Sequence, residues 1–271
     1  MNFLKYLEQL DTEQLDKENE DRFLDRKNML GKMGSFSKKM ALAAVPLGAF
    51  SALANPAKAQ STNDIVGVLN FALKLEYLEN EYYQIGNAQS GLIPSEAQPI
   101  YDQIVKHEQQ HVVFLENTID SLGGQKIDRP NFDFTAGGMF DPFNNYDQFL
   151  ILSQAFEDTG VRAYKGQAPA LQGTVALRPA LQIHSVEARH AAEVRRLRGL
   201  QGWILQDNAV DGVPATQATY AGEDQTTQLG VDVPSITDAS VDSITEAWDE
   251  FLTMDEVLNI AGLFIVSDSE N

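Results

Sequence analysis

The feature that most constrains the fold is a Glu-x-x-His pair that occurs twice within apolar helical patterns. Glu108 and His111 lie in IVKHEQQHVVFL, and Glu187 and His190 lie in IHSVEARHAAEV. Residues three apart project from one face of an α-helix. Because the flanking residues are largely apolar, each pair carries a carboxylate towards the interior, which is costly unless its charge is compensated. A metal ion would compensate it.

An internal repeat supplies two further carboxylates. An apolar segment with its own glutamate precedes each pair: LNFALKLEYLENEYY contains Glu76, and LILSQAFEDTGVRAY contains Glu157. The offset between these glutamates is nearly that between the two Glu-x-x-His pairs, and in the same register Tyr83 meets Tyr164. The sequence therefore predicts two helical hairpins with the same internal plan.

Glu79 competes with Glu76 as the inward carboxylate of the first helix, since the two lie one turn apart. The repeat favours Glu76, because Glu79 meets Gly160 in that register. Glu79 and Glu193 are the next candidates if the assignment of Glu76 and Glu157 fails.

Four other residues near these motifs have more than one interpretation. Tyr83 and Tyr164 lie on the inward stripes, where a phenol can bind a ligand carboxylate, donate an electron or pack in the core. His107 is expected on the surface or beside a ligand. His184 is expected in the core or beside a ligand.

Composition limits the chemistry. A chain of 271 residues with 43% hydrophobic content can bury a sizeable core. It contains no cysteine, which excludes disulfides, thiolate-held iron–sulfur clusters and cysteine nucleophiles. The formal net charge of −19 disfavours nucleic acid and anionic lipid as partners. Such a charge would attract cations, or simply keep the protein soluble.

Residues 1–59 have the layout of an export signal with an N-terminal extension. A basic run precedes the apolar segment MALAAVPLGAFSALA, and Ala57-Lys58-Ala59 is a small-x-small cleavage site. We therefore expect an exported protein, periplasmic or extracellular, with no stable membrane anchor after signal removal. An uncleaved helical extension is the alternative. DRKNML looks like a degenerate twin-arginine motif, so the export route stays open.

The rest of the chain is predicted as a four-helix bundle over residues 60–202 and a C-terminal extension over residues 203–271. A long segment without helical period, about Gln125 to Tyr146, predicts a crossover that makes helices two and three parallel. The residues from Asp207 to Ser240 are predicted to be mostly irregular. A capping-box pattern at Thr253 to Glu256 starts a terminal helix, which would dock on the bundle or on a second subunit of a homo-oligomer. The four predicted helices are Ser61 or Thr62 to Gly86, Ser95 to Gly123, Tyr146 to Gly166 and Leu177 to Gly199.

The order Glu, Glu-x-x-His, Glu, Glu-x-x-His resembles the ligand set of ferritin-like di-iron and di-manganese bundles. The resemblance implies an all-α, ferritin-like four-helix bundle that binds two iron or manganese ions. It implies six ligands: Glu108 and Glu187 as bridges, Glu76 and Glu157 as terminal carboxylates, and His111 and His190 on one ion each.

The chain also resembles one branch of that superfamily, the secreted desiccation-related ferritin-like proteins. The motifs that carry this resemblance are LNFALKLEYLENEYY, KHEQQHVVFLE, FEDTGVRAYKG and SVEARHAAEV, with FLTMDEVLNIAGLFI near the C terminus. They lie within residues 64–200 and the last residues of the chain. The resemblance implies the fold and the metal site more directly than it implies a reaction.

Four functions are compatible with these motifs. The first is oxidation of ferrous iron, or reduction of dioxygen or peroxide, at a dinuclear centre. The second is an acidic scaffold for desiccation or stress with a vestigial metal site, and the third is iron storage in a cage. The fourth is a zinc protease, because His107 to His111 satisfies H-E-x-x-H. The repeat argues against a protease, since Val186 takes the place of His107 and the second Glu-x-x-His pair would have no role.

Overall fold

The computed structural model describes residues 61–266, so the predicted export signal lies outside the described residues. None of the helices in this range is long and apolar enough to cross a membrane. Two short strands, β1 (Thr227–Gln228) and β2 (Val231–Asp232), pair antiparallel. The α-helices of the described range are α1 (Thr62–Ala88), α2 (Gln98–Ser121), α3 (Tyr146–Gln167), α4 (Leu177–Leu197), α5 (Val241–Thr245) and α6 (Met254–Ala261).

Side-chain caps fix the start of several helices. Ser61 and Asp64 form a reciprocal capping box at the start of α1, with distances of 3.1 and 3.2 Å. Thr253 and Glu256 form the predicted capping box of α6. Helix α2 differs from the prediction, because it begins at Gln98 rather than at Ser95 and has no side-chain cap.

The four long helices form a bundle with one long crossover, between α2 and α3. Helices α2 and α3 both run antiparallel to α1, and they are therefore parallel to each other, as the crossover predicted. Hydrogen bonds between the helices establish the directions: Tyr77–Glu116 and Asn87–Asp102 between α1 and α2, and Tyr164–Glu76 and Tyr82–Phe149 between α1 and α3.

The crossover follows α1 along most of its length. At one end the side-chain amide of Asn70 donates to the carbonyl of Gln125 at 2.8 Å and accepts from the backbone N–H of Ile127 at 2.9 Å. Towards the other end the ring of Phe134 lies 5.1 Å from that of Tyr82. These contacts explain why the bundle contains a long irregular segment: it covers the apolar surface of the bundle.

Two large apolar clusters form the core of the bundle, and a third, small one lies around Ile204, Val210 and Tyr220. Of the two large clusters, one is rich in aromatic side chains and surrounds Tyr82, Phe149 and Phe156. The other is mainly aliphatic and includes Leu73 and Leu115. The layer of α1 between Leu73 and Tyr82 carries the predicted glutamate, so the site lies between the two clusters.

The terminal helix docks on the bundle. Val257 is fully buried in the aromatic cluster, and the ring of Phe264 lies 4.9 Å from that of Phe156 on α3. Just beyond α6, Ile265 forms an isolated antiparallel bridge with Phe132 of the crossover. The preceding residues, from Asp207 to Ser240, are mostly irregular, as predicted, with short 3₁₀ turns and the β1–β2 pair.

The C-terminal extension also covers the outer face of α3. Arg162, fully buried on that face, donates to the carbonyl of Ala221 at 2.6 Å and lies 2.8 Å from the carboxylate of Glu223. The hydroxyl of Tyr220 donates to Asp158 at 2.6 Å, and Arg195 of α4 pairs with the same carboxylate. Helix α3 is therefore buried on nearly all sides, and the extension supplies hydrogen-bond partners to Arg162 and Asp158.

Candidate metal centre

The structure brings all six predicted site residues together in the middle of the bundle. The four glutamates are fully buried, and the exposed fractions of the two histidines are 8% and 5%. Helix α1 contributes Glu76 and α3 contributes Glu157, whereas α2 and α4 each contribute a Glu-x-x-His pair. This is the placement that the internal repeat predicted.

The six side chains form two overlapping groups, and within each group one potential ligand atom per residue lies within 4.8 Å of all the others. Glu108 and Glu187 belong to both groups, so their carboxylates are shared between the two groups. The first group is Glu76, Glu108, His111 and Glu187, and the second is Glu108, Glu157, Glu187 and His190.

Both histidines face the carboxylates through Nδ1. Nδ1 of His111 lies 3.2 Å from Glu76, 3.3 Å from Glu108 and 3.1 Å from Glu187. Nδ1 of His190 lies 2.9 Å from Glu108 and 3.3 Å from Glu157. One nitrogen and three carboxylates thus converge in each half of the centre.

Several buried polar atoms of this cluster have no hydrogen-bond partner among residues 61–266. They include both carboxylate oxygens of Glu157 and Glu187, and Nδ1 of His190, whose short contacts lack hydrogen-bond geometry. Buried polar atoms without partners are rare and costly in folded proteins. Metal ions would satisfy them, and a set of carboxylate oxygens and imidazole nitrogens suits iron and manganese. The residues present therefore fit a dinuclear centre.

The electrostatics of the cluster favour bound protons when no metal is present. Burial raises the pKa of Glu76 to about 7, against the lowering effect of the hydrogen bond from His111. Burial also raises the pKa of Glu157 well above its usual range, although His190 opposes it. For His190, burial alone would lower the pKa, but the negative charge of Glu157 and its other carboxylate neighbours raise it to about 11. Metal binding must therefore displace protons from this cluster.

His107 contacts the centre from outside. Its Nδ1 lies 2.8 Å from Nε2 of His190, and the two rings stack with centroids 5.1 Å apart. Burial, and then the positive charge of His190, lowers the pKa of His107. The other ring nitrogen of His107 contacts the side-chain amide of Gln103, and the direction of the hydrogen bond between the two histidines depends on their tautomers. With Nε2 of His190 as the donor, this hydrogen bond would fix the tautomer that leaves Nδ1 of His190 free for a metal.

The position of His107 also bears on the zinc-protease interpretation. His107 belongs to neither of the metal-competent groups found in the described residues. It faces the second Glu-x-x-His pair on α4, whereas a protease would need it to bind one ion together with His111. The geometry gives the protease interpretation no support.

The two tyrosines of the repeat differ in their contacts. The hydroxyl of Tyr164 donates to Glu76 and so orients a predicted terminal ligand. The hydroxyl of Tyr83 donates to the backbone carbonyl of Ser153 at 3.4 Å. Tyr83 is fully buried in the aromatic cluster, and it packs against Tyr82 and Phe149.

The remaining candidates lie outside the two groups. Glu79 is buried beside Gly160, where its carboxylate would lie 3.0 Å from a Cβ atom at that position, and burial raises its pKa well above the usual range. Glu193 is on the surface and pairs with Arg196 at 2.8 Å. Nε2 of His184 is buried and has no hydrogen-bond partner in the described part of the chain.

The contact that sequence reasoning did not specify is the one between His107 and His190. The pair spans two helices, so neither local pattern contains it. Its only sequence signal is the break in the repeat, where Val186 stands in the second hairpin at the position that His107 has in the first.

Comparison with protein families agrees with this geometry. A family model described as a ferritin-like domain matches residues 64–200, a range that contains all six site residues. The match spans nearly all of α1 and the whole of α2, α3 and α4. No curated protein matches the chain.

Proposed function

The chain belongs to the ferritin-like domain family, and we propose on this basis that it binds two iron or manganese ions and oxidises ferrous iron. The observation that carries the proposal is the pair of overlapping groups that share Glu108 and Glu187. Four carboxylates would offset the charge of two divalent ions, and two imidazoles complete the set.

The roles of the protein side chains follow from their contacts. Glu108 and Glu187 would bridge the ions, while Glu76 and Glu157 would each bind one of them. Tyr164 orients Glu76 through its hydroxyl. The full burial of the carboxylates keeps bulk water away and strengthens their interaction with bound cations.

The proposed reaction balances without another reductant. Two ferrous ions, the substrate, each lose one electron, and one dioxygen molecule takes up both electrons and two protons to leave as hydrogen peroxide. If peroxide is the oxidant instead, it takes up two electrons and two protons and leaves as two water molecules. Both reactions would remove ferrous iron, and the second would also remove peroxide, which would protect a stressed cell.

Counting metal ions tests the proposal. Elemental mass spectrometry of the purified protein, before and after anaerobic loading with ferrous iron, should give close to two iron or manganese ions per chain. The double substitution Glu108→Ala, Glu187→Ala should abolish this binding, because both groups lose their shared carboxylates. Glu193→Gln is the matched control, since this surface carboxylate lies outside both groups.

Other results would contradict the proposal in distinct ways. One zinc ion per chain would support the H-E-x-x-H interpretation. No specific metal, together with full protective activity of the double variant, would support an acidic scaffold. If two ions bind but neither dioxygen nor peroxide oxidises added ferrous iron, the proposed reaction would be contradicted and the proposed metal site would stand.

We further propose that the protein is exported and acts outside the cytoplasm, because residues 1–59 have the layout of an export signal. Cleavage after Ala59 would give a mature protein that begins at Gln60. Cell fractionation followed by N-terminal sequencing tests this. A protein that stays in the cytoplasm with Met1 or its neighbours intact would contradict it.

A further inference from the structure

An apolar cavity of about 50 Å³ lies beside the candidate centre. Ala72, Leu115 and Ile183 line it, and each of them lies one helical turn from a predicted ligand on the same helix. The ring of Tyr164 lines it too, while the hydroxyl of that residue binds Glu76. The cavity therefore lies about one helical turn from the predicted ligands.

The same cavity extends towards the surface. Its lining includes Val175 and Phe114, whose exposed fractions are 80% and 39%. The deeper lining belongs to the aliphatic cluster and includes Ala180, which is buried. A small molecule that enters beside Val175 would meet apolar side chains until it reaches Tyr164.

The chemistry of the lining selects the kind of molecule that can occupy it. A polar molecule would lose its hydrogen bonds to water in this cavity and find few replacements, which is costly. Enclosed apolar cavities stay dry and bind apolar guests, and a guest as small as one water molecule needs only about 10–15 Å³. Dioxygen is apolar, and as a diatomic molecule it is small enough for this cavity. Hydrogen peroxide is small but polar, so the lining does not favour it.

We propose that this cavity binds dioxygen and supplies it to the dinuclear centre. The inference rests on the proposed oxidation of ferrous iron and names its oxidant: dioxygen accepts one electron from each of two ferrous ions, takes up two protons and leaves as hydrogen peroxide. Peroxide would have to reach the centre by another path. Filling the cavity should therefore separate the two oxidants.

Xenon binding tests the cavity without any redox chemistry. The full-length protein should shift the ¹²⁹Xe resonance in a saturable way, and Ala180→Leu should weaken this binding about tenfold or more by filling the space. Ala261→Leu is the matched control, because Ala261 is a buried alanine on α6 that does not line the cavity. Unchanged xenon binding in Ala180→Leu would overturn the assignment.

Oxidation kinetics test whether the molecule that the cavity supplies is dioxygen. In Ala180→Leu the rate of ferrous iron oxidation by dioxygen should fall about tenfold at low dioxygen, while the rate with hydrogen peroxide should stay within about twofold. Val175→Trp, at an exposed position that does not endanger folding, should narrow the entrance and slow only the dioxygen reaction.

The outcomes separate this inference from the proposed function. Equal loss of both rates, or of neither, would overturn the assignment of the cavity to dioxygen while oxidation itself stands. Xenon binding in a wild-type protein that oxidises no ferrous iron with either oxidant would overturn the proposed function, and with it the dioxygen supply.

Discussion

At the scale of single residues, the two halves of the centre have the same ligand types but different support. Nε2 of His190 is held by His107 at 2.8 Å. No hydrogen bond from the described residues reaches Nε2 of His111, and Val186 stands where the repeat would place a second His107. Outer partners of this kind orient a metal-binding histidine and raise its basicity. The half of the centre that contains His190 should therefore bind its ion more tightly.

Removing His107 tests this asymmetry. His107→Ala should weaken binding of the ion at His190 by about 10- to 100-fold and leave the ion at His111 nearly unaffected. Titration with cobalt(II), followed by its visible spectrum, distinguishes the two halves by affinity. Val186→Ala is the control and should change neither affinity. Equal weakening of both ions in His107→Ala would show a general structural effect instead.

Replacing Glu157 should stabilise the metal-free protein and weaken its binding of metal. Neither oxygen of this buried carboxylate has a hydrogen-bond partner among the described residues. Burial raises its pKa well above the usual range although His190 lies 3.3 Å away, so Glu157→Gln removes a group whose charged form is disfavoured in the metal-free protein. We expect the variant to stay folded and to melt higher by about 2–4 °C without metal, the shift expected from about 1 kcal/mol in a domain of this size. It should also bind less metal at the His190 half.

Circular dichroism melts of the metal-free protein and metal counts on the same samples measure both effects. Glu193→Gln should change neither quantity, because this carboxylate is on the surface. A metal-free Glu157→Gln protein that melts lower than wild type would show that the carboxylate is stabilised by contacts other than a metal.

At the scale of helices and strands, what could be predicted depended on whether the signal was local. The apolar period and the caps at Ser61 and Thr253 predicted where α1 and α6 begin. The clustering of the six residues could be predicted because the repeat places one glutamate on each of α1 and α3 and a Glu-x-x-His pair on each of α2 and α4. The contact between His107 and His190 could not, because it depends on how α2 and α4 pack.

The docking of the C-terminal extension on α3 had no local signal either. The buried guanidinium of Arg162 is satisfied by the backbone carbonyls of Thr219, Ala221 and Glu250 and by the carboxylate of Glu223. Backbone carbonyls are present at every residue, so the sequence does not indicate which ones an arginine will find. Only the folded chain shows that Arg162 holds the extension in place.

Replacing Arg162 should therefore detach the extension. Arg162→Met leaves Glu223 buried without its partner, and removal of one member of a buried ion pair costs about 3–5 kcal/mol. We expect a loss of this size in the free energy of unfolding by urea, with faster proteolysis between α4 and α6. Arg196→Met is the control, because this exposed arginine pairs only with surface Glu193, and it should change stability by less than about 0.5 kcal/mol.

At the scale of the whole molecule, the buried cluster couples folding, protons and metal. Without metal, the native protein holds protons that the unfolded chain would release, since Glu76 has a pKa of about 7 instead of 4.5 and His190 has a pKa of about 11 instead of 6.5. His111 is shifted in the same direction: burial alone would lower its pKa, but the hydrogen bonds that it donates to Glu108, Glu187 and Glu76 outweigh that effect. The stability of the metal-free protein and the stabilisation that metal adds to it must therefore depend on pH in opposite ways.

For the metal-free protein, each group with a raised pKa defines a pH range, from its pKa in the unfolded chain up to its pKa in the native state. Within that range the native state binds more protons than the unfolded state. The free energy of unfolding then falls as pH rises. Glu76 gives this slope between about 4.5 and about 7, and His190 continues it from about 6.5 to about 11. Metal ions bind the deprotonated side chains, so their stabilising contribution grows over the same range.

We expect the melting temperature of the metal-free protein to fall between about pH 5 and pH 8, and the increase on adding manganese to grow over that interval. Differential scanning calorimetry at several pH values, with and without a fixed free concentration of manganese, measures both. Glu76→Gln should flatten the lower part of the metal-free curve, because it removes the group that titrates near pH 7. If metal-free stability instead rises with pH, protons do not occupy the cluster, and the buried carboxylates must be neutralised by other means.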